Sequence, residues 1–168
     1  FSDMNLTAIN NSIKNIFNVN VEYKLYESYC ETWARILNTM IYTYFSLSNN
    51  NKRVHTKLFR DEFKQNMIIE SYHSLYQSLN IMRFMDINFK IITDKNKNNI
   101  DICNHLYREK TSVFSYYIIT SLLMNNYINF LNWDEQEIYK SHIETMVTHL
   151  QTSTSIPFEI SDIISNHH

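Results

Sequence analysis

The chain contains no glycine in 168 residues, although ordinary usage is about 7%. Glycine enters positive φ without steric cost, so its absence removes the usual solution for tight turns and helix C-caps. Asparagine, the next most tolerant side chain, is expected to take most of those places. Glycine-rich phosphate loops, dinucleotide fingerprints and nucleophile elbows are excluded outright. Proline occurs once and alanine only at Ala8 and Ala34, while Asn, Ile, Tyr, Phe and Lys are abundant. Depletion of residues with GC-rich codons points to a strongly AT-biased genome.

Helical periodicity fills most of what remains. Leu6, Ile9, Ile13, Ile16 and Phe17 recur at steps of three and four and mark an amphipathic helix ending in the NVN of 18–20. A longer helix is expected from about Tyr23 to Leu47, with Leu25, Tyr29, Trp33, Ile36, Leu37, Met40, Ile41 and Tyr44 as its apolar stripe. After the polar SNNNKR of 48–53, a third helical stretch runs from about Leu58 to Met85, in one piece or two. TDKNKNN at 93–99 is the strongest break in the chain. Beyond it the pattern gives a short helix around Ile100 to Tyr107, a second from Ser112 to Met124, and a piece near Tyr127 to Leu131. Asp134 is placed to cap a last helix through about Leu150, and 151–168 reads as a peripheral tail. Strand signals are confined to Val19–Tyr23 and Ile87–Ile92.

The expected architecture is therefore all-α, a single-domain bundle over 1–168 of five to seven helices around a long central helix. A chain of this length can bury roughly 70% of the surface its unfolded form exposes. Trp33, Leu37, Tyr116 and Ile119 are its expected core residues, because the VFSYYII run at 113–119 is apolar on most sides.

Charge and cysteine usage narrow the class. The formal net charge of −2 and a pI near 6.4 provide no basic stripe for nucleic acid. No block of lysines suggests an anionic membrane surface, and the richest apolar window, Val113 to Met124, falls short of a membrane span. Cys30 and Cys103 do not suggest a disulfide framework, so two buried thiols in a reducing compartment are expected. The resulting expectation is an intracellular protein whose partner is a protein or peptide. A start at Phe1 rather than methionine suggests a processed product, a fragment or an incomplete chain.

Several residue pairs have spacings that matter for chemistry. Glu27 and Glu31 lie one turn apart on a helix face that also carries Arg35 and Asn38. A Glu31–Arg35 pair on a wet face is the plain reading, and an inward-turned carboxylate binding a metal is the alternative. Glu70-Ser-Tyr-His73 has the spacing with which one helix of a di-iron bundle offers two ligands, but the second such motif is missing. His105 with Glu109, and His142 with His149, are same-face pairs, too few for a tetrahedral zinc site. Neither His-Glu-x-x-His nor Cys-x-x-Cys occurs.

Three blocks, Tyr29-Cys-Glu31-Thr-Trp-Ala, Ser74-Leu-Tyr-Gln77-Ser-Leu and Arg108-Glu-Lys-Thr-Ser-Val-Phe-Ser-Tyr-Tyr-Ile-Ile119, occur in an order that resembles zinc-metallopeptidase-like proteins of large nucleocytoplasmic DNA viruses. The resemblance covers about residues 25 to 133. It implies that Glu31 is the third zinc ligand, that Glu27 is a neighbouring group outside the ligand set, and that Trp33 packs beneath the site. Zinc in such a site lowers the pKa of a bound water, which attacks a peptide carbonyl. The helix that should carry His-Glu-x-x-His is absent, because LTAINNSIKNIFN stands before residue 25. The resemblance thus implies either the C-terminal helical portion of a longer peptidase-like protein or a domain that kept the scaffold and lost the metal, in host cytoplasm or virion. The competing expectation is a non-catalytic helical virion or host-interaction protein. Helix-binding bundles of the cell-death-regulator kind belong there, although their groove motif usually carries glycine.

Overall fold

The computed structural model describes residues 11–49 and 56–137. The expected helix from Asp134 to Leu150, the pair His142 and His149, and the tail 151–168 fall partly or wholly outside them. Among the described residues the protein is all-α, without strands. After a helical turn at 11–14, α1 spans Leu25–Asn49, α2 Thr56–Phe84, α3 Phe89–Thr93 and α4 Lys97–Leu106. A π-helical segment, Phe114–Ile119, runs directly into α5, Thr120–Asn125, and α6 covers Tyr127–Glu137. No helix among the described residues is long and apolar enough to cross a membrane.

α1 and α2 lie antiparallel. Thr43 accepts from Asn66 Nδ2 at 2.9 Å, whereas the earlier Arg35 reaches the later Gln77 at 3.3 Å. The segment 114–125 packs against both: Ser28 Oγ of α1 donates to the Ser115 carbonyl at 2.7 Å, and Ser71 Oγ of α2 donates to the Met124 carbonyl at 2.8 Å. Phe114 is fully buried, and its ring meets Phe17, Tyr23 and Tyr107 at centroid distances of 5.0, 5.6 and 5.8 Å, near-perpendicular in each case. That edge-to-face arrangement suits the aromatic quadrupoles.

The buried faces of the two long helices overturn the expected core. On α1 the inward positions are Leu25, Ser28, Thr32, Ile36, Thr39, Thr43 and Leu47, and on α2 they are Met67, Ser71, Ser74, Ser78 and Met82. The α1 positions step by three and four, as an inward stripe must. Small residues win it because they let the helix axes approach, and their hydroxyls bring no unsatisfied donor inside. Thr32, Thr39 and Thr43 each donate to the carbonyl four residues back at 2.7–2.8 Å. Of the side chains read as the apolar stripe, Leu25 and Ile36 are buried and Tyr29 and Trp33 pack against the core, whereas Leu37, Met40, Ile41 and Tyr44 are turned outward. Leu37 is 47% exposed and Tyr116 40% exposed, so neither belongs to the core, while Trp33 is half-buried against Phe130 and Ile119 is fully buried.

Other local expectations are also corrected. Asp134 lies inside α6, so no helix begins there. The polar break at 93–99 shrinks to a short linker, because α4 begins at Lys97. Ile87–Ile92 is not a strand, since α3 occupies most of it. Asn18 fixes that helix to the N-terminal segment: its Nδ2 donates to the carbonyls of Ile91 and Asp94, both at 2.7 Å. Asn88 and Asn96 serve as N-caps, accepting from Ile91 N and Asn99 N.

The positive-φ position among the described residues is taken by Asp86, φ 54°, and not by an asparagine. It closes α2 in a Schellman arrangement, with Ile87 N bonded to Met82 O at 2.9 Å and Asp86 N to Arg83 O at 3.0 Å. Asp86→Val is expected to cost about 1–2 kcal/mol, because a β-branched residue resists the left-handed region. Asp86→Asn should stay within about 0.5 kcal/mol of the parent. Urea denaturation of both variants reads the difference, and equal midpoints would refute it.

Candidate functional site

The polar groups that face each other across α1 and α2 meet around Arg35. Its Nε donates to Glu31 Oε1 at 2.9 Å, one turn back on α1. Nη1 donates to Glu70 Oε1 at 2.8 Å and Nη2 to Gln77 Oε1 at 3.3 Å, both on α2. The guanidinium is mostly buried, with both carboxylates partly open to solvent. A planar fork of five donors is the side chain suited to span three acceptors on two helices at once. Immediately beside it a groove of about 350 Å³ is lined by Asn38, Thr39, Tyr42, Asn66, Ile69 and Glu70. It offers amides, hydroxyls and the Glu70 carboxylate, already engaged by Arg35, on a lining that is more apolar than polar.

The sequence-derived candidates are distributed around this groove, not gathered in it. Glu31 is engaged by Arg35, so a metal at this carboxylate would have to compete with a guanidinium 2.9 Å away. Glu27 sits 3.8 Å from Lys24 Nζ, and its carboxylate holds the Tyr116 phenol above the usual value. Trp33 does not lie beneath Glu31; it turns to the other side of α1, where its ring stands 5.9 Å from Phe130. Glu70 binds Arg35 whereas His73 is exposed, so the Glu-x-x-His spacing does not produce a pair of converging ligands. His105 Nδ1 contacts the Asp101 carbonyl at 2.9 Å. Among the described residues no group of three His, Cys, Asp or Glu side chains is arranged to hold a metal ion.

Glu109 has a structural task that spacing did not suggest. Its Oε2 accepts from the Tyr107 hydroxyl and from the Phe114 backbone N–H, each at 2.8 Å, at the start of the π-helical segment. Burial, and then the Glu109 carboxylate, push the Tyr107 phenol well above its ordinary pKa. Burial does the same to Tyr23, whose hydroxyl donates to the Val19 carbonyl. Both phenols therefore stay neutral and act as donors. The π segment gathers three donors on one acceptor: the Ser115 carbonyl takes the Thr120 N–H, the Thr120 hydroxyl at 3.2 Å and the Ser28 hydroxyl at 2.7 Å. No pattern in the sequence announces this turn, since a π-bulge needs only an extra residue in a helix that packing holds at both ends.

The two thiols differ, against the expectation that both are buried. Cys30 is exposed on α1, while Cys103 is buried and burial raises its pKa. A thiol reagent is expected to label Cys30 in the folded protein and Cys103 only after denaturation, because thiolate fraction and access both govern the rate. Peptide mapping after brief labelling checks this, and equal labelling of both in the native state would contradict it.

No family model matches this chain, and no curated protein or solved structure is significantly similar to it.

Proposed function

We propose that this is a non-catalytic helical protein that works by protein–protein contact through the outer surface of α1 and the adjoining face of α2. The observation that carries this reading is the row of large apolar side chains left in solvent on α1 from Leu37 to Phe45; Ile69, Tyr72 and Tyr76 are exposed in addition on α2. Contiguous apolar exposure of this extent marks interaction surfaces on otherwise ordinary proteins. A membrane surface is a poorer match, because interfacial helices flank their apolar face with Lys and Arg. α1 carries only Glu27, Glu31 and Arg35 as charged residues. The host cytoplasm or the virion would be the compartment under this reading.

A photo-cross-linking residue at position 44, compared with one at the exposed polar position 101, tests it. Protein adducts at 44 and none at 101 are expected. Equal yields at both positions, or none at either, would remove the basis for the proposal.

The second reading is the C-terminal helical portion of a viral zinc-metallopeptidase-like protein with Glu31 as ligand. It draws on Glu31 standing partly exposed at the protein surface, one turn from Glu27. It requires Arg35 to be displaced by the metal. Zinc content of the purified chain decides: stoichiometric zinc that is lost on Glu31→Ala supports a ligand role, and a metal-free folded chain rejects it for this segment.

A further inference from the structure

We infer that the partner seated on the outer face of α1 is a second copy of this chain, packed α1 against α1 across a two-fold axis. The inference rests on the reading of this surface as a protein-contact face and specifies its occupant.

Area is the first argument. Leu37, Met40, Ile41, Tyr42, Tyr44 and Phe45 are each between 38% and 63% exposed within a stretch of α1 barely more than two turns long. Tyr42 and Ile69 line one groove, but Asn38, Asn66 and Glu70 stand there as well, so the continuous apolar face is that of α1. A half-exposed aromatic side chain offers about 100 Å². Summed with its aliphatic neighbours the α1 face comes to on the order of 600 Å², the lower end of the share one partner gives to a standard-size interface.

Charge is the second argument. From Ile36 to Asn49, α1 has no charged residue. An isologous contact sets a surface against its own copy, so every charge near the axis meets a like charge. A face that lacks charge escapes that penalty, and its apolar, aromatic composition is the kind found in homodimer interfaces. A foreign partner would leave this neutrality unexplained, since hetero-complexes commonly use complementary charge to select partners. Helical geometry agrees: Leu37, Ile41 and Phe45 step by four and form one ridge. A crossing centred on Ile41 brings Leu37 of one copy beside Phe45 of the other.

Light scattering of the full chain over a hundredfold concentration range around micromolar tests the inference. The expected result is a mass of two 20.3 kDa chains at the upper end. Ile41→Glu and Tyr44→Glu should each shift the dimer midpoint at least tenfold upward, while Lys110→Gln, which makes the same change in charge far from the face, leaves it in place. Circular dichroism checks that the variants keep the parent helicity, which exposed positions permit. A chain that stays monomeric throughout, or a dimer indifferent to both glutamates, overturns the inference. Carbene footprinting of a monomer then separates this failure from failure of the parent reading. Labelling at 37–45 means an open face awaiting a different protein. Absence of labelling there means that the chain covers the face itself, and both readings fall.

Discussion

Replacing Phe114 by alanine is expected to lower the unfolding free energy by about 3–5 kcal/mol, the range for truncating a buried phenylalanine. For a chain of this size that corresponds to roughly 6–20 °C in Tm. The size of the effect follows from position. The ring is fully buried and is the common partner of Phe17, Tyr23 and Tyr107. These come from the N-terminal segment and from the residue after α4, so one cavity loosens contacts between parts of the chain nearly a hundred residues apart. Neighbours held by their own hydrogen bonds cannot collapse into the gap: Tyr107 is tied to Glu109, and Tyr23 to Val19. Phe114→Leu keeps most of the volume and should cost well under half as much. Thermal and urea unfolding of the two variants give the comparison. A penalty for alanine near that of leucine would mean that the aromatic cluster is not the hub of the fold.

Arg35→Ala is expected to destabilise by about 2 kcal/mol, reflecting the loss of hydrogen bonds to charged groups at a mostly buried position. The value lies below that for a fully buried pair because Glu31 and Glu70 keep part of their hydration. Two effects contribute. The side chain that ties Glu31 to α2 disappears, and two carboxylates are left without their shared cation. Arg35→Lys retains the charge but not the fork, so it should recover only part of the loss. Combining Arg35→Ala with Glu70→Gln in a double-mutant cycle should give a coupling of about 1 kcal/mol. Additive effects would show that the bridge across the helices contributes nothing to stability. The variant also bears on the zinc reading, because freeing Glu31 from Arg35 can only favour a metal at that carboxylate.

The sequence shows the helices clearly and their orientation poorly. Apolar residues at steps of three and four place α1 within two residues of its observed start, and the Asn-rich breaks fall where the chain leaves one helix for the next. The same periodicity finds Leu25 and Ile36 but then goes astray, because hydrophobicity ranks Leu37, Met40, Ile41 and Tyr44 above Ser28, Thr32, Thr39 and Thr43. Helix–helix distance is not encoded in a single helix. Once the segment 114–125 packs against both long helices, close approach favours small residues at the contact: Ser28 of α1 reaches the Ser115 carbonyl and Ser71 of α2 the Met124 carbonyl. A run of hydroxyls at 28, 32, 39 and 43 was the available signal, and it gains meaning only when a distant segment packs closely against it.

The candidate site divides in the same way. The Glu31–Arg35 pair is local, fixed by one helical turn, and could be read from spacing. Glu70 and Gln77 join it from about forty residues away, and nothing in the chain near either residue indicates that they meet. Glu109 likewise has a partner in spacing, His105, and a different partner in space, the start of the π segment. The sequence by itself therefore determined an all-α chain without glycine-dependent loops, the spans of the two long helices and the local ion pair, since these depend on interactions within a turn or two. Tertiary structure alone decided which faces are buried, which carboxylates are committed to Arg35 and which apolar residues remain in water, because each depends on how closely two distant helices approach.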